Sequence, residues 1–364
     1  MRVLLLWPSH SNSTWNTAWF YSRALKRLGV KTANFIYSQE IILQNLAINA
    51  FRGTENESYD GEAVLLANRL MMGYIASSLP DIVMVITGLD FYKSAWSWIS
   101  EFRKYLRHPY KIVLIYTESP YRPSEELEYA QWADYIFTNE KTFVGRLRKF
   151  QPRTWYLPQA YDDELHAPNW GAEKKYGTYF CGSGFKGRID FLSSIDWDAT
   201  GSTFTLKGMW PDIDESSPLH KYYVEGLVPN ERVVEDYHAS EICLNIHRTE
   251  GELVVFERDE PNLYSRERRG FAVRDAWSMN NRACEIAAAG GFQLVDDSRG
   301  EIKEVFGDSV PTFSMNDPAQ LQDMIAFYTK RPELRAKKAR EAHMRIEGRT
   351  YLANTKRILN LVGG

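Results

Sequence analysis

The chain has 364 residues, 44% of them hydrophobic and 14% aromatic, with 25% charged side chains and a formal net charge of −3. That length exceeds one ordinary core and points to two domains, and the composition excludes a disordered or low-complexity chain. Near-neutral charge excludes a global electrostatic drive towards nucleic acid or anionic lipid, so any polyanion binding must come from a local basic patch.

The apolar run from Val3 to Trp7 is too short for a membrane span, is closed by Pro8 and precedes no cleavage-site pattern, so a buried first strand is expected. After it, β-rich runs alternate with helical patterns: strand 2–7, helix 15–28, strand 31–37, helix 60–79, strand 81–87, helix 93–106 and strand 110–117. Weak strands at 135–138 and 154–157 complete the first half. This alternation, with nearly continuous apolar strands, is the pattern of a parallel sheet covered by helices on both faces.

A Pro-, Asp- and Gly-containing stretch from Pro158 to Gly177 supplies the linker, and the pattern then restarts. Strands are expected at 177–181, 202–206, 241–246, 291–295 and 310–313, with helices at 187–195, 230–238, 279–289, 299–305, 317–329, 332–346 and 350–361. The expected division is an N-terminal acceptor domain at 1–160, a linker at 161–176, a C-terminal donor domain at 177–349 and a last helix at 350–364 crossing back to the first domain. Ligands of such sheets sit at the carboxyl ends of the strands, so two domains facing a central cleft would hold one substrate each. The segment 247–277, with Arg258, Arg266, Arg268, Arg269 and Arg274, has weak periodicity and reads either as a solvated excursion or as a flap over a ligand.

Gly182, Ser183, Gly184, Lys186 and Arg188 lie in a turn that follows a strand and opens a helix. Glycines, a helix N-terminus and two cations make an anion cradle, although the same glycines could simply tighten the joint. The G-x-G-x-x-G spacing also fits a dinucleotide site, but the next strand ends in Lys207 where that site wants an acid. Farther on, Ser278 can cap a helix that Gly290 and Gly291 end, and Arg282 and Glu285 share one face near its start. An arginine can neutralise a diphosphate while a carboxylate accepts two ribose hydroxyls; the plainer alternative is an intrahelical ion pair.

The segment from Arg282 to Phe292 resembles the C-terminal signature of the CgeB-like glycosyltransferases, relatives of the group 1 (GT4-type) GT-B enzymes. Leu244–Arg248, Glu304–Phe313, Arg331–Arg335 and Thr350–Tyr351 agree in order, as do Tyr116–Tyr121, Asp134–Asn139 and Tyr156–Tyr161 in the first half. The second glutamate of the wider group's two-glutamate motif is replaced by Ser278.

The resemblance implies an α/β GT-B fold with two Rossmann-like doubly wound domains. It also implies transfer of a sugar from a nucleotide-diphosphate donor, UDP first, to a hydroxyl acceptor, with no required metal and no other cofactor. Glu285 would hold the ribose, Arg282, Lys186 and Arg188 the diphosphate, and Gly182 and Ser183 the phosphate turn, with His247 and Arg248 within reach of the donor. A catalytic base is sought at N-terminal strand ends, in the order Glu118, Asp90, His10.

Bacteriophage-type sequences look similar, which makes hydroxymethylated DNA, through the segment 247–277, or a virion protein an expected acceptor class. A cytoplasmic setting, that of a bacterial host for a phage protein, fits the three unpaired cysteines Cys181, Cys243 and Cys284. Two other readings are open on the sequence: a sugar-nucleotide epimerase or hydrolase, and a non-catalytic coat or assembly protein. The D-x-D spacings Asp196/Asp198 and Asp212/Asp214 sit in turn-like contexts and are expected to be solvated turns.

Overall fold

The computed structural model describes residues 1–7, 12–54, 61–89, 91–254 and 268–363. In the first half β1 (Arg2–Trp7), β2 (Lys31–Ile36), β3 (Ile82–Ile86), β4 (Lys111–Tyr116), β5 (Tyr135–Thr138) and β6 (Thr154–Tyr156) form one sheet in the order β2-β1-β3-β4-β5-β6, with every pairing parallel. Val83 to Ile86 and Ile112 to Leu114 are fully buried, as the unbroken apolar runs require when helices cover both faces. Trp96 packs on this core and stacks on Tyr129 at 5.5 Å between ring centroids.

The second half holds β7 (Tyr176–Cys181), β8 (Phe204–Lys207), β9 (Tyr223–Glu225), β10 (Ser240–Asn245), β11 (Glu250–Val254), β12 (Arg268–Ala272), β13 (Gln293–Asp296) and β14 (Thr312–Phe313). Six of them form a second parallel sheet in the order β14-β13-β10-β7-β8-β9, and β11 with β12 form a two-stranded sheet of their own. By its contacts the chain divides into one unit of Met1–Leu157, Gly251–Phe271 and Asn354–Gly364, and another of Pro158–Glu250 and Ala272–Ala353. Among the described residues no helix is long and apolar enough to cross a membrane.

Several elements depart from the sequence expectation. The helix Tyr37–Arg52 follows β2 directly, without a side-chain cap. Its apolar residues include Leu43, Leu46 and Phe51, which are exposed, so the periodicity that marks a buried face is blurred. Pro123–Tyr129 is a short helix with proline in its first turn. The two strands β11 and β12 occupy part of the segment expected to lack regular structure; its residues 255–267, including Arg258 and Arg266, lie outside the described residues. The amide of Glu252 donates to the Tyr121 carbonyl at 2.7 Å, which ties β11 to the loop after β4.

In each sheet the strand order reverses once, and ligands of open α/β sheets bind at that point, outside the carboxyl ends of the strands. The reversal falls between β1 and β3 in the first sheet and between β7 and β10 in the second.

Candidate functional site

The second sheet's switch point is where the chemistry-bearing residues gather. β7 ends at Cys181, and the turn from Gly182 to Phe185 leads into the helix Lys186–Ser193. The turn is packed against the loop after β8: the Gly182 amide donates to the Lys207 carbonyl at 3.0 Å and the Gly184 amide to the Met209 carbonyl at 2.7 Å. Gly208, in the left-handed region at φ 109°, passes so close that a Cβ there would lie 2.0 Å from the Gly182 oxygen. A Cβ at Gly182 would lie 3.1 Å from Nη2 of Arg282, so the glycine turn and the start of the helix Asn281–Ala288 are neighbours in space.

Two aromatic rings organise three guanidinium groups around this turn. Phe180 carries Arg282 at 5.3 Å and Arg188 at 5.7 Å from its ring centroid, and Phe185 carries Arg188 at 5.1 Å and Arg248 at 4.4 Å. Arg188 is buried and holds the backbone in place: its Nη1 donates to the Ser183 carbonyl at 3.0 Å and its Nη2 to the Ile246 carbonyl at 2.6 Å. Burial pulls the Arg282 pKa down, but Tyr237, Cys181 and Glu285 raise it by more, so Arg282 stays a cation. Glu285, one turn farther on and nearly buried, accepts from Asn281 Nδ2 at 2.7 Å and has His166 Nε2 at 3.9 Å.

The helix Lys186–Ser193 is less open to an anion than its sequence suggests. The Glu250 carboxylate stands at its start, Oε1 accepting from the Gly187 amide at 2.7 Å. Lys186 is an exposed side chain paired with Asp190 at 2.6 Å, one turn along the same helix. Of the expected donor residues, the fold therefore brings Gly182, Ser183, Arg188, Arg248, Arg282 and Glu285 together and leaves Lys186 on the helix surface.

His247 has another occupation. The ring is 1% exposed, with Nδ1 2.7 Å from Asp296 Oδ2 and Nε2 accepting the Asn280 amide at 3.2 Å, so the neutral Nδ1–H tautomer satisfies both contacts. Asn280 caps the helix Asn281–Ala288 through Ala283 N at 3.1 Å, and its amide pairs reciprocally with that of Asn245 at 2.8 and 3.0 Å. The ends of β10 and β13 thus fix the helix start that presents Arg282. Asn245, Asn280 and Asp296 were not singled out in the sequence, where only the polar residue closing each apolar strand marks Asn245 and Asp296.

Burial depresses the His247 pKa, outweighing the opposing pull of Asp296. The folded ring binds its proton less tightly than the unfolded one, so its contribution to stability is complete above the unfolded value of about 6.5 and is lost as pH falls through the lower folded value. The urea midpoint of the wild type should therefore fall as pH drops below about 6.5, and His247→Gln should remove that step. Burial raises the Asp296 pKa, but the contacts with His247 and Ser298 lower it by more, to well below the usual carboxylate range, so its own contribution persists to far lower pH.

In the first unit, Glu118 follows β4 and is half-buried; its carbonyl accepts from the Tyr121 amide at 2.6 Å. His10 and Asp90 lie outside the described residues. Just after β3, Thr87 has φ 63°, a left-handed conformation that a β-branched residue rarely adopts, and its hydroxyl lies 2.6 Å from that of Thr117. One carboxylate of each D-x-D spacing caps a turn: Asp214 accepts from Ser216 and Asp196 from Ala199.

Residues 188–360 match a family model described as glycosyl transferase-like. The spore protein CgeB of Bacillus subtilis (strain 168) is 25% identical over 232 residues, covering 61% of this chain and 66% of the relative, so the match spans just under two thirds of that protein's length. An α-glucosyltransferase solved with UDP and a 13-mer DNA containing a central A:G mismatch superposes with a TM-score of 0.67 at 9% identity, over 100% of both chains. The T4 phage β-glucosyltransferase gives 0.55 at 12% identity, over 100% of this chain and 99% of its own. At such identities the likeness is one of fold. The chain therefore has a GT-B-like α/β fold of two doubly wound parallel sheets, with a glycosyl transferase-like match at 188–360 and a similarity to CgeB over 232 residues.

Proposed function

We propose that the chain transfers a sugar from a nucleoside diphosphate donor, a UDP-sugar first, to a hydroxyl acceptor, and that the donor nucleotide lies at the switch point of the second sheet. The observation that carries this reading is the approach of Arg282 to the Gly182 turn, to 3.1 Å from where a Cβ would stand. A permanent cation and a carboxylate one turn apart, beside a backbone turn without side-chain bulk, suit a diphosphate and its ribose. Arg282 stabilises the charge that develops on the departing diphosphate, Glu285 accepts the ribose hydroxyls, and Ser183 lines the turn. Arg188 positions that turn through its hydrogen bonds to the Ser183 and Ile246 carbonyls. Because Glu250 already caps the neighbouring helix, the diphosphate is assigned to the Arg282 side of the turn.

Glu118, at the carboxyl end of β4, is the first choice for the base that accepts the acceptor proton, with Asp90 and His10 after it. Nothing in this assignment requires a metal or a further cofactor. The structural relatives solved with UDP and DNA support UDP as the first nucleotide to test, and hydroxymethylated DNA as an acceptor to set beside a protein. A thermal-shift panel of UDP, GDP, ADP and TDP tests the donor site. A nucleoside diphosphate should raise the melting temperature of the wild type and that of Glu285→Ala by clearly less at the same concentration; a wild type indifferent to the whole panel would overturn the reading.

A further inference from the structure

The net charge of −3 conceals a segregation of charge in the first unit. Residues 103–111 contribute Arg103, Lys104, Arg107 and Lys111, and residues 148–153 contribute Arg148, Lys149 and Arg153, with no Asp or Glu in either segment. The first segment leads into β4 and the second into β6, the strands on either side of β5. Both therefore lie at the amino-terminal edge of the parallel sheet, the edge opposite the one that carries Glu118.

The two segments flank a groove of about 470 Å³ lined by Arg103, Lys104, Lys111, Asp134, Tyr135 and Arg153. Lys111 Nζ and the Arg153 guanidinium lie 5.7 and 5.2 Å from the centroid of the same Tyr135 ring. The groove's one acid, Asp134, is engaged by Arg103 and by the Ile112 amide, and Lys104 is paired with Glu101 at 2.7 Å on the exposed rim, where an incoming phosphate can compete for it. Each basic segment also presents an aromatic ring to solvent, Tyr105 at 82% and Phe150 at 53% exposure.

We propose that this edge binds nucleic acid, with phosphates in the groove and unpaired bases against Tyr105 and Phe150. Cations along a groove track a phosphate backbone, and exposed rings give any base a face to stack on. An anionic membrane would be better served by a convex apolar face or an amphipathic helix, and here the cations line a concavity. The inference goes beyond the donor site and does not depend on it.

Binding of a labelled oligodeoxythymidylate, followed by fluorescence anisotropy across a salt series, is the test. The wild type should bind, and K104A/R153A, which removes two cations lining the groove, should weaken binding by about tenfold and flatten the log–log salt slope by about 1.4, the share of two phosphate contacts on a single strand. Y105A/F150A should weaken binding with the slope unchanged. The thermal shift given by a nucleoside diphosphate should be the same in all three proteins, so a failure of the donor site is read separately. A wild type that does not bind the oligonucleotide, a K104A/R153A variant that binds as the wild type does, or binding confined to vesicles containing phosphatidylserine would each overturn the proposal.

Discussion

Arg282→Ala should lower kcat/KM for a nucleotide sugar by about 10²- to 10³-fold, the effect of removing a group that stabilises charge formed in the transition state. Arginine is matched to this position by its planar fork and its permanent charge, so Arg282→Lys should recover only a small part of the loss. Glu285→Ala should act differently. A carboxylate holding ribose hydroxyls binds ground state and transition state alike, so the change should appear in KM and in the nucleotide Kd, by about tenfold or more, at about 1.5–3 kcal/mol for a hydrogen bond to a charged group. Steady-state kinetics together with nucleotide titrations separate the two. Equal effects of both variants on kcat alone would contradict the assigned roles.

The second large effect concerns stability. Lys207, at the end of β8, is buried, and its Nζ lies 2.9 Å from Asp236 Oδ2, which also accepts the Tyr179 hydroxyl at 2.9 Å. Burial pulls the Lys207 pKa down, but Asp236 with Tyr176 and Glu225 raises it by more, so Lys207 stays a cation in the folded protein. Asp236→Ala should destabilise the second unit by at most about 3–5 kcal/mol, because it leaves the buried Tyr179 hydroxyl without its acceptor and the buried Lys207 cation with only the half-exposed Glu225 carboxylate, at 3.4 Å. Replacing both partners, as in D236L/K207M, should restore most of that stability. Urea unfolding monitored in the second unit reads both variants, and an Asp236→Ala midpoint equal to that of the wild type would refute this account of the pair.

The fold was legible in the sequence wherever apolar runs were long and glycine or proline closed them. β1, closed by Pro8, and β3, closed by Gly88, are of that kind, and their burial on both faces explains the absence of alternation. The helix Tyr37–Arg52 was hidden because its apolar residues lie on more than one face, with Phe51 at 92% exposure. β11 and β12 were hidden by charge: a strand such as Glu250–Val254 takes its partner from outside its own sequence, and nothing local requires it.

The candidate site was legible in part. The Arg282–Glu285 spacing and the glycine turn could be read because helix period and glycine chemistry are local. Three features could not. Glu250 was one acid among many until the fold set it on the Gly187 amide. Lys207 was noted as the wrong residue for a dinucleotide site, yet its function in the fold depends on Asp236, 29 residues away. His247 closes a strand, as a ligand-reaching residue would, but both its ring nitrogens are taken by Asp296 and Asn280, partners that only the tertiary fold supplies.

A crystal structure of the protein with a bound nucleoside diphosphate is the most direct measurement of the central claim. The account predicts phosphate oxygens within hydrogen-bonding distance of the Arg282 guanidinium beside Gly182, and ribose hydroxyls on the Glu285 carboxylate. A nucleotide seated anywhere other than the switch point between β7 and β10, with Arg282 and Glu285 untouched, would contradict it.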